Sequence, residues 1–137
     1  MIQPLAYVNP GAKIADTVVI EPFVTIHKNV EIGEGTWIGS NVTIMEGARI
    51  GKNCKIFPGA VISAIPQDLK FNGEDTTTEI GDNTTIRECV TINRGTVAKG
   101  KTVVGQNCLL MAYCHIAHDT ILGNHEDRKS TRLNSSH

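Results

Sequence analysis

The 137-residue chain has the length of one ordinary domain, and its 40% hydrophobic content suffices for a modest core. With 13 basic residues against 14 acidic and only 4% aromatics, it has neither the charge excess nor the stacking side chains of a nucleic-acid binder. The stretch from Met1 to Ile14 has no basic n-region and no long apolar run, no later segment approaches the ~20 apolar residues of a membrane span, and the cysteines form no CxxC pair. This reads as a cytosolic chain with reduced thiols and no membrane span.

From the N-terminus, branched aliphatics recur every six residues: Val8, Ile14, Ile20, Ile26, Ile32, Ile38, Ile44, Ile50, Ile56 and Ile62. The ladder returns in phase at Ile80, Ile86 and Ile92, weakens at Ala98, and resumes at Val104, Leu110, Ile116 and Leu122. Four residues after each rung stands a small or β-branched side chain, among them Val18, Val24, Thr36, Cys54, Ala60, Thr84, Thr96, Cys108 and Cys114. A period of six fits neither a 3.6-residue helix nor a simple strand, but it fits a short strand followed by a corner, repeated. Because side chains alternate along a strand, each small residue and the rung two positions later face the same way. Stacked coil on coil, these columns make the interior of a parallel β-helix, an all-β solenoid. Cys54, Cys108 and Cys114 then serve as packing residues, and Cys89 falls at a corner.

The ladder fails between Ile62 and Ile80, where Asp68 and Glu74 take the rung positions. A charged rung cannot be buried unpaired, so the segment near 64–78, centred on Ile65 to Asp75, is expected to leave the solenoid wall as a loop, a place where repeat scaffolds often carry function. It fails again after Asn124: in 125–137 the rung positions hold Arg128 and Asn134. A solenoid domain over 1–124 is therefore expected, followed by a tail outside it and no polar cap, which suggests a fragment.

Cys114-His115-Ile116-Ala117-His118-Asp119 carries the most suggestive chemistry. With Ile116 inward, His115 faces outward, and His118 and Asp119 fall on the following corner, so all three are expected on the outer surface. A carboxylate beside an imidazole orients it and stabilises its protonated form, as a general base requires. Zinc is the competing chemistry, but His115 and His118 alone do not make a tetrahedral set, and His27 belongs to a much earlier coil. A non-catalytic trimeric scaffold is a further alternative.

Three segments carry a family resemblance: "QDLKFNGE" from Gln67 to Glu74, "IGDNTTIRECVTINRGT" from Ile80 to Thr96, and "NCLLMAYCHIAHDTILGN" from Asn107 to Asn124. In this order they resemble the acyl-[acyl-carrier-protein]–UDP-N-acetylglucosamine O-acyltransferases of lipid A synthesis, within the hexapeptide-repeat acyltransferases. The resemblance covers residues 1 to about 124, the first half of such a protein. It implies a left-handed β-helix, although crossover statistics alone favour the right-handed form. It implies a cytoplasmic homotrimer that moves a 3-hydroxyacyl chain from acyl carrier protein to the 3-hydroxyl of UDP-N-acetylglucosamine. His118 matches the family's general base, Asp119 its orienting carboxylate, and His115, Gln67, Asp68 and Lys70 match residues that contact the substrate. Asn93 stands where many relatives have histidine. Neither a cofactor nor a resident metal is implied. Family parts beyond this chain include the oxyanion donor and the carrier-protein surface, so the chain alone is expected to be inactive. Other hexapeptide-repeat acyltransferases, including users of acetyl-coenzyme A, and a zinc hydratase of the carbonic-anhydrase kind are the alternatives on the same fold.

Overall fold

The computed structural model describes residues 1–128. Its strands, most of them two residues long, form three parallel sheets of six strands each, and the chain visits the sheets in strict rotation. The first sheet runs from Tyr7–Val8 to His115–Ile116, the second from Lys13–Ile14 to Ile121–Leu122, and the third from Val19–Ile20 to Asp127–Arg128. Paired positions in regular coils are 18 residues apart, as in Ile20↔Ile38 and Ile26↔Ile44. The result is a left-handed parallel β-helix of about six turns. No α-helix occurs among the described residues, and hence none long and apolar enough to cross a membrane.

The six-residue period maps directly onto this geometry. From Ile20 to Leu122 every ladder residue except Ala98 is buried, and each stacks on its counterpart one coil away, as in Ile62↔Ile92 and Ile92↔Ile116. Burying an isoleucine contributes roughly 1.5–3 kcal/mol, so these columns dominate stability. Of the polar members of the inward column, the Thr120 hydroxyl is buried without a hydrogen-bond partner among the described residues, whereas two donate to backbone, Thr36 Oγ1 to Gly51 O at 2.8 Å and Thr84 Oγ1 to Gly105 O at 2.7 Å. The thiols do the same, Cys54 Sγ to Gly81 O at 3.2 Å and Cys108 Sγ to Gly123 O at 3.1 Å. Burial pushes the Cys54 thiol up in pKa, which fits packing and not nucleophilic use.

Corners have a period of their own. Three residues after the rung, the backbone turns through the left-handed region at Asn29, Gly35, Asn41, Gly47, Asn53, Gly59, Asn83, Asn107 and Asp119. Asparagine, aspartate and glycine adopt this conformation at least cost. Cys89 occupies the same corner position at φ 59°.

Two segments leave the wall, and both do so between the first and second sheets. One is the expected loop, between strands Val61–Ala64 and Thr77–Ile80. The other, residues 94–100 between Thr91–Asn93 and Lys101–Val104, was not expected. Ala98 is therefore no rung, and Thr96 belongs to this second excursion and not to the inward column: the second-sheet partner of Ile80 is Val104, 24 residues away instead of 18. The coil also reaches past the expected boundary at 124, since Asp127 pairs with Leu109 and Arg128 with Leu110. Parallel pairing uses backbone groups, so a polar rung does not prevent it. The rest of the expected tail, 129–137, lies outside the described residues.

Candidate active site

The strand His115–Ile116 lies next to Thr91–Asn93 in the first sheet, with His115 opposite Thr91. Alternation buries Ile116 completely and turns His115 outward, half-buried, with its Nδ1 2.7 Å from Thr91 Oγ1. Burial, and then the nearby imidazole of His118, lower its pKa and favour the neutral ring.

After Ile116 the chain turns the corner from the first sheet to the second, and His118 and Asp119 sit on that corner. His118 is partly exposed, its side chain at 31%, whereas Asp119 is only 8% exposed. The expectation that all three groups lie on the outer surface therefore holds for the histidines and fails for Asp119. The left-handed corner conformation, φ 63° at Asp119, and the overlying 94–100 excursion bury this carboxylate.

A buried carboxylate must be compensated, and this one is. Oδ1 accepts the Thr96 N–H at 2.8 Å, while Oδ2 accepts the Thr96 hydroxyl and lies 3.0 Å from His118 Nδ1. The Asp119 N–H donates to Thr102 Oγ1 at 2.8 Å. Burial alone would raise the Asp119 pKa, but the hydrogen bonds from Thr96 and His118 outweigh it and hold the group below the usual carboxylate range. An ionised carboxylate is an acceptor only, so the hydrogen of a neutral His118 sits on Nδ1 and Nε2 keeps its lone pair.

The excursion loop meets the same edge. In the order of the first sheet, Val61–Ala64 lies two strands from His115–Ile116, about 10 Å along the axis at ordinary strand spacing. Gln67 and Lys70 are exposed and Asp68 half-buried, its Oδ1 accepting the Lys70 N–H at 2.9 Å within the loop. Among the described residues, no hydrogen bond or ion pair links these three side chains to the histidines. The loop is pinned from beneath by Arg94, whose guanidinium carbon lies 5.2 Å from the Phe71 ring centre and whose Nη1 reaches Glu46 O at 3.3 Å. Thr76 Oγ1 donates to Gly95 O and so joins the two excursions, while a Cβ on Gly95 would lie 2.3 Å from Lys101 N, so only glycine lets the 94–100 segment close on its own base. Asn93 is buried at the end of its strand, opposite Ala64.

Thr91, Arg94 and Thr102 are site residues that the ladder did not single out, and Thr96, which the ladder places in the inward column, belongs to the site instead. His27, the third imidazole weighed for zinc, follows a strand four places from His115–Ile116 in the sheet order, about 19 Å along the axis. Within one chain it cannot complete a zinc set with His115 and His118. Among the described residues, no three His, Cys, Asp or Glu side chains are placed to hold a metal ion.

A family model described as the GMPPB C-terminal domain matches residues 2–103. The acyl-[acyl-carrier-protein]–UDP-N-acetylglucosamine O-acyltransferase of Saccharophagus degradans is 46% identical over 125 residues, 90% of this chain and 48% of its own length. The enzyme of the same description from Chlorobaculum parvum is 54% identical over 120 residues, 88% of this chain and 46% of its own. The crystal structure of a UDP-N-acetylglucosamine acyltransferase from Bacteroides fragilis superposes with a TM-score of 0.95 at 55% identity, covering 98% of this chain and 54% of that one. The chain thus spans about half the length of the curated relatives it matches.

Proposed function

From the premise that this chain belongs to the GMPPB C-terminal domain family, we propose that it serves the reaction named in its acyltransferase relatives. Their names give acyl transfer from acyl carrier protein to an oxygen of UDP-N-acetylglucosamine; in our reading the group is (3R)-3-hydroxyacyl, the acceptor is the 3-hydroxyl, and the step is the first of lipid A synthesis. In this reading His118 is the general base. Its Nε2 takes the proton of the sugar hydroxyl as that oxygen attacks the thioester carbonyl, and the imidazolium returns the proton to the carrier thiolate when the C–S bond breaks. Asp119 holds the ring with Nδ1–H toward it and balances the charge that develops. His115, its Nδ1 engaged by Thr91, offers Nε2 to the cleft. Gln67, Asp68 and Lys70 bind the nucleotide sugar from the loop above. The chain works as a homotrimer in the cytoplasm.

The observation that carries this reading is the 3.0 Å contact between His118 Nδ1 and a buried carboxylate that is itself gripped by Thr96. Such a device serves a ring that must change its protonation state without moving. The test is an assay of the full-length protein with 3-hydroxyacyl carrier protein and UDP-N-acetylglucosamine, following the acylated nucleotide sugar and the free carrier thiol by mass spectrometry. The reading predicts one thiol released per product, with acetyl-coenzyme A a poor donor. Preference for acetyl-coenzyme A, or no acylated nucleotide sugar, would contradict it.

A further inference from the structure

We infer that Thr96 is a positioning residue for His118, acting through Asp119: the 94–100 excursion brings one threonine across the corner to grip both carboxylate oxygens. The inference rests on the general-base reading above and deepens it. Thr96 and Asp119 are 23 residues apart, so the grip runs between neighbouring coils, from the longer 94–100 connection to the regular corner that follows His115–Ile116.

The geometry is specific to threonine or serine. The Thr96 N–H goes to Oδ1 at 2.8 Å and its hydroxyl donates to Oδ2, so the plane of the carboxylate is held at both ends. The same hydroxyl accepts the Ala98 N–H at 3.2 Å, which leaves its single proton committed to Asp119. From the other side, Asp119 N–H is tied to Thr102 Oγ1 at 2.8 Å. With the carboxylate unable to rotate, Oδ2 stays where His118 Nδ1 meets it. The ring is then held as the Nδ1–H tautomer, the minor form of free histidine, with Nε2 free to take a proton. If the hydroxyl is removed, Oδ2 loses one of its two donors and the carboxylate regains a rotation. His118 then relaxes toward the commoner Nε2–H form, which cannot act as a base at that nitrogen. A purely structural threonine would stabilise the turn and leave the tautomer of His118 unchanged.

The test uses ¹⁵N-histidine-labelled full-length protein at neutral pH, reading the His118 tautomer from its imidazole nitrogen shifts, together with steady-state kinetics. Wild type and Thr96→Ser are expected to show the Nδ1–H form and similar kcat. Thr96→Val is expected to shift His118 toward Nε2–H and to lower kcat by about tenfold or more, short of the 10²–10⁴-fold loss expected from removing the base itself, with KM little changed. An unchanged tautomer or an unchanged kcat in Thr96→Val overturns the inference. Should Thr96→Val fail to fold, Thr96→Ala carries the same expectation and the same overturning results, and a predominant Nε2–H form of His118 in wild type overturns the inference in either case. Failure of the acyl-transfer reading looks different, because His118 would hold the Nδ1–H form in a protein that makes no acylated sugar nucleotide.

Discussion

His118 Nδ1 lies 3.0 Å from Asp119 Oδ2, yet the two neighbours occupy different environments: the imidazole reaches solvent and the carboxylate does not. The corner produces this split. Its left-handed residue turns Asp119 under the 94–100 excursion, while His118, one residue earlier, points over the edge.

Replacing Asp119 with asparagine keeps the shape and removes the charge. An amide can turn its NH₂ toward His118 Nδ1, which would force the hydrogen onto Nε2, the wrong tautomer for a base. Steady-state kinetics of the Asp119→Asn enzyme should therefore show kcat falling by up to about 10⁴-fold, with KM changed far less. A mainly raised KM would instead place Asp119 in substrate binding.

Acid should destabilise the fold in two stages. Asp119 titrates lower in the fold than in the unfolded chain, so the unfolded chain binds its proton first as pH falls. The stability it contributes is complete above the ordinary value of 3.8 and is lost as pH falls through the folded value. His115 acts in a higher window: the fold favours its neutral form, so stability falls as pH drops below 6.5 toward the folded value. Thermal scans across this range should show both stages, and His115→Gln should reduce only the upper one. An upper stage of undiminished size in that variant would assign it to another group.

The corner column predicts a contrast at one exposed site. Asn41 holds φ 61°, so Asn41→Gly should leave stability within about 0.5 kcal/mol, whereas β-branched Asn41→Val should cost about 1–2 kcal/mol. Denaturant titration of the two variants measures the difference. Equal effects would show that the left-handed corner is not what selects asparagine there.

Much of this was legible from residues alone, and the exceptions have physical causes. The ladder was readable because an inward rung must be apolar at every coil, and the first excursion because Asp68 and Glu74 cannot serve as rungs. The second excursion was hidden because it adds one repeat length: Ala98 and Thr96 stay in phase, and periodicity cannot distinguish an insertion of one period from none. The outward turn of His115 followed from alternation, but the burial of Asp119 depends on that hidden excursion. Thr91 and Thr102 meet the site through cross-coil contacts, which the sequence of a single coil does not display. The signal that could have found the corner was present: asparagine and glycine recur three residues after the rung, and Asp119 stands in that column. The continuation to Asp127–Arg128 was missed because backbone pairing does not require an aliphatic side chain.

The central claim is that an imidazole on the edge between the first and second sheets removes the proton from the acceptor hydroxyl. It is tested most directly by kcat for acyl transfer in the full-length His118→Ala enzyme, compared with wild type at saturating substrates. Since the ring is partly exposed and outside the core, folding should be retained and kcat should fall by 10²–10⁴-fold, on the order expected for losing a general base. A well-folded variant whose kcat stays within about threefold of wild type would contradict the claim.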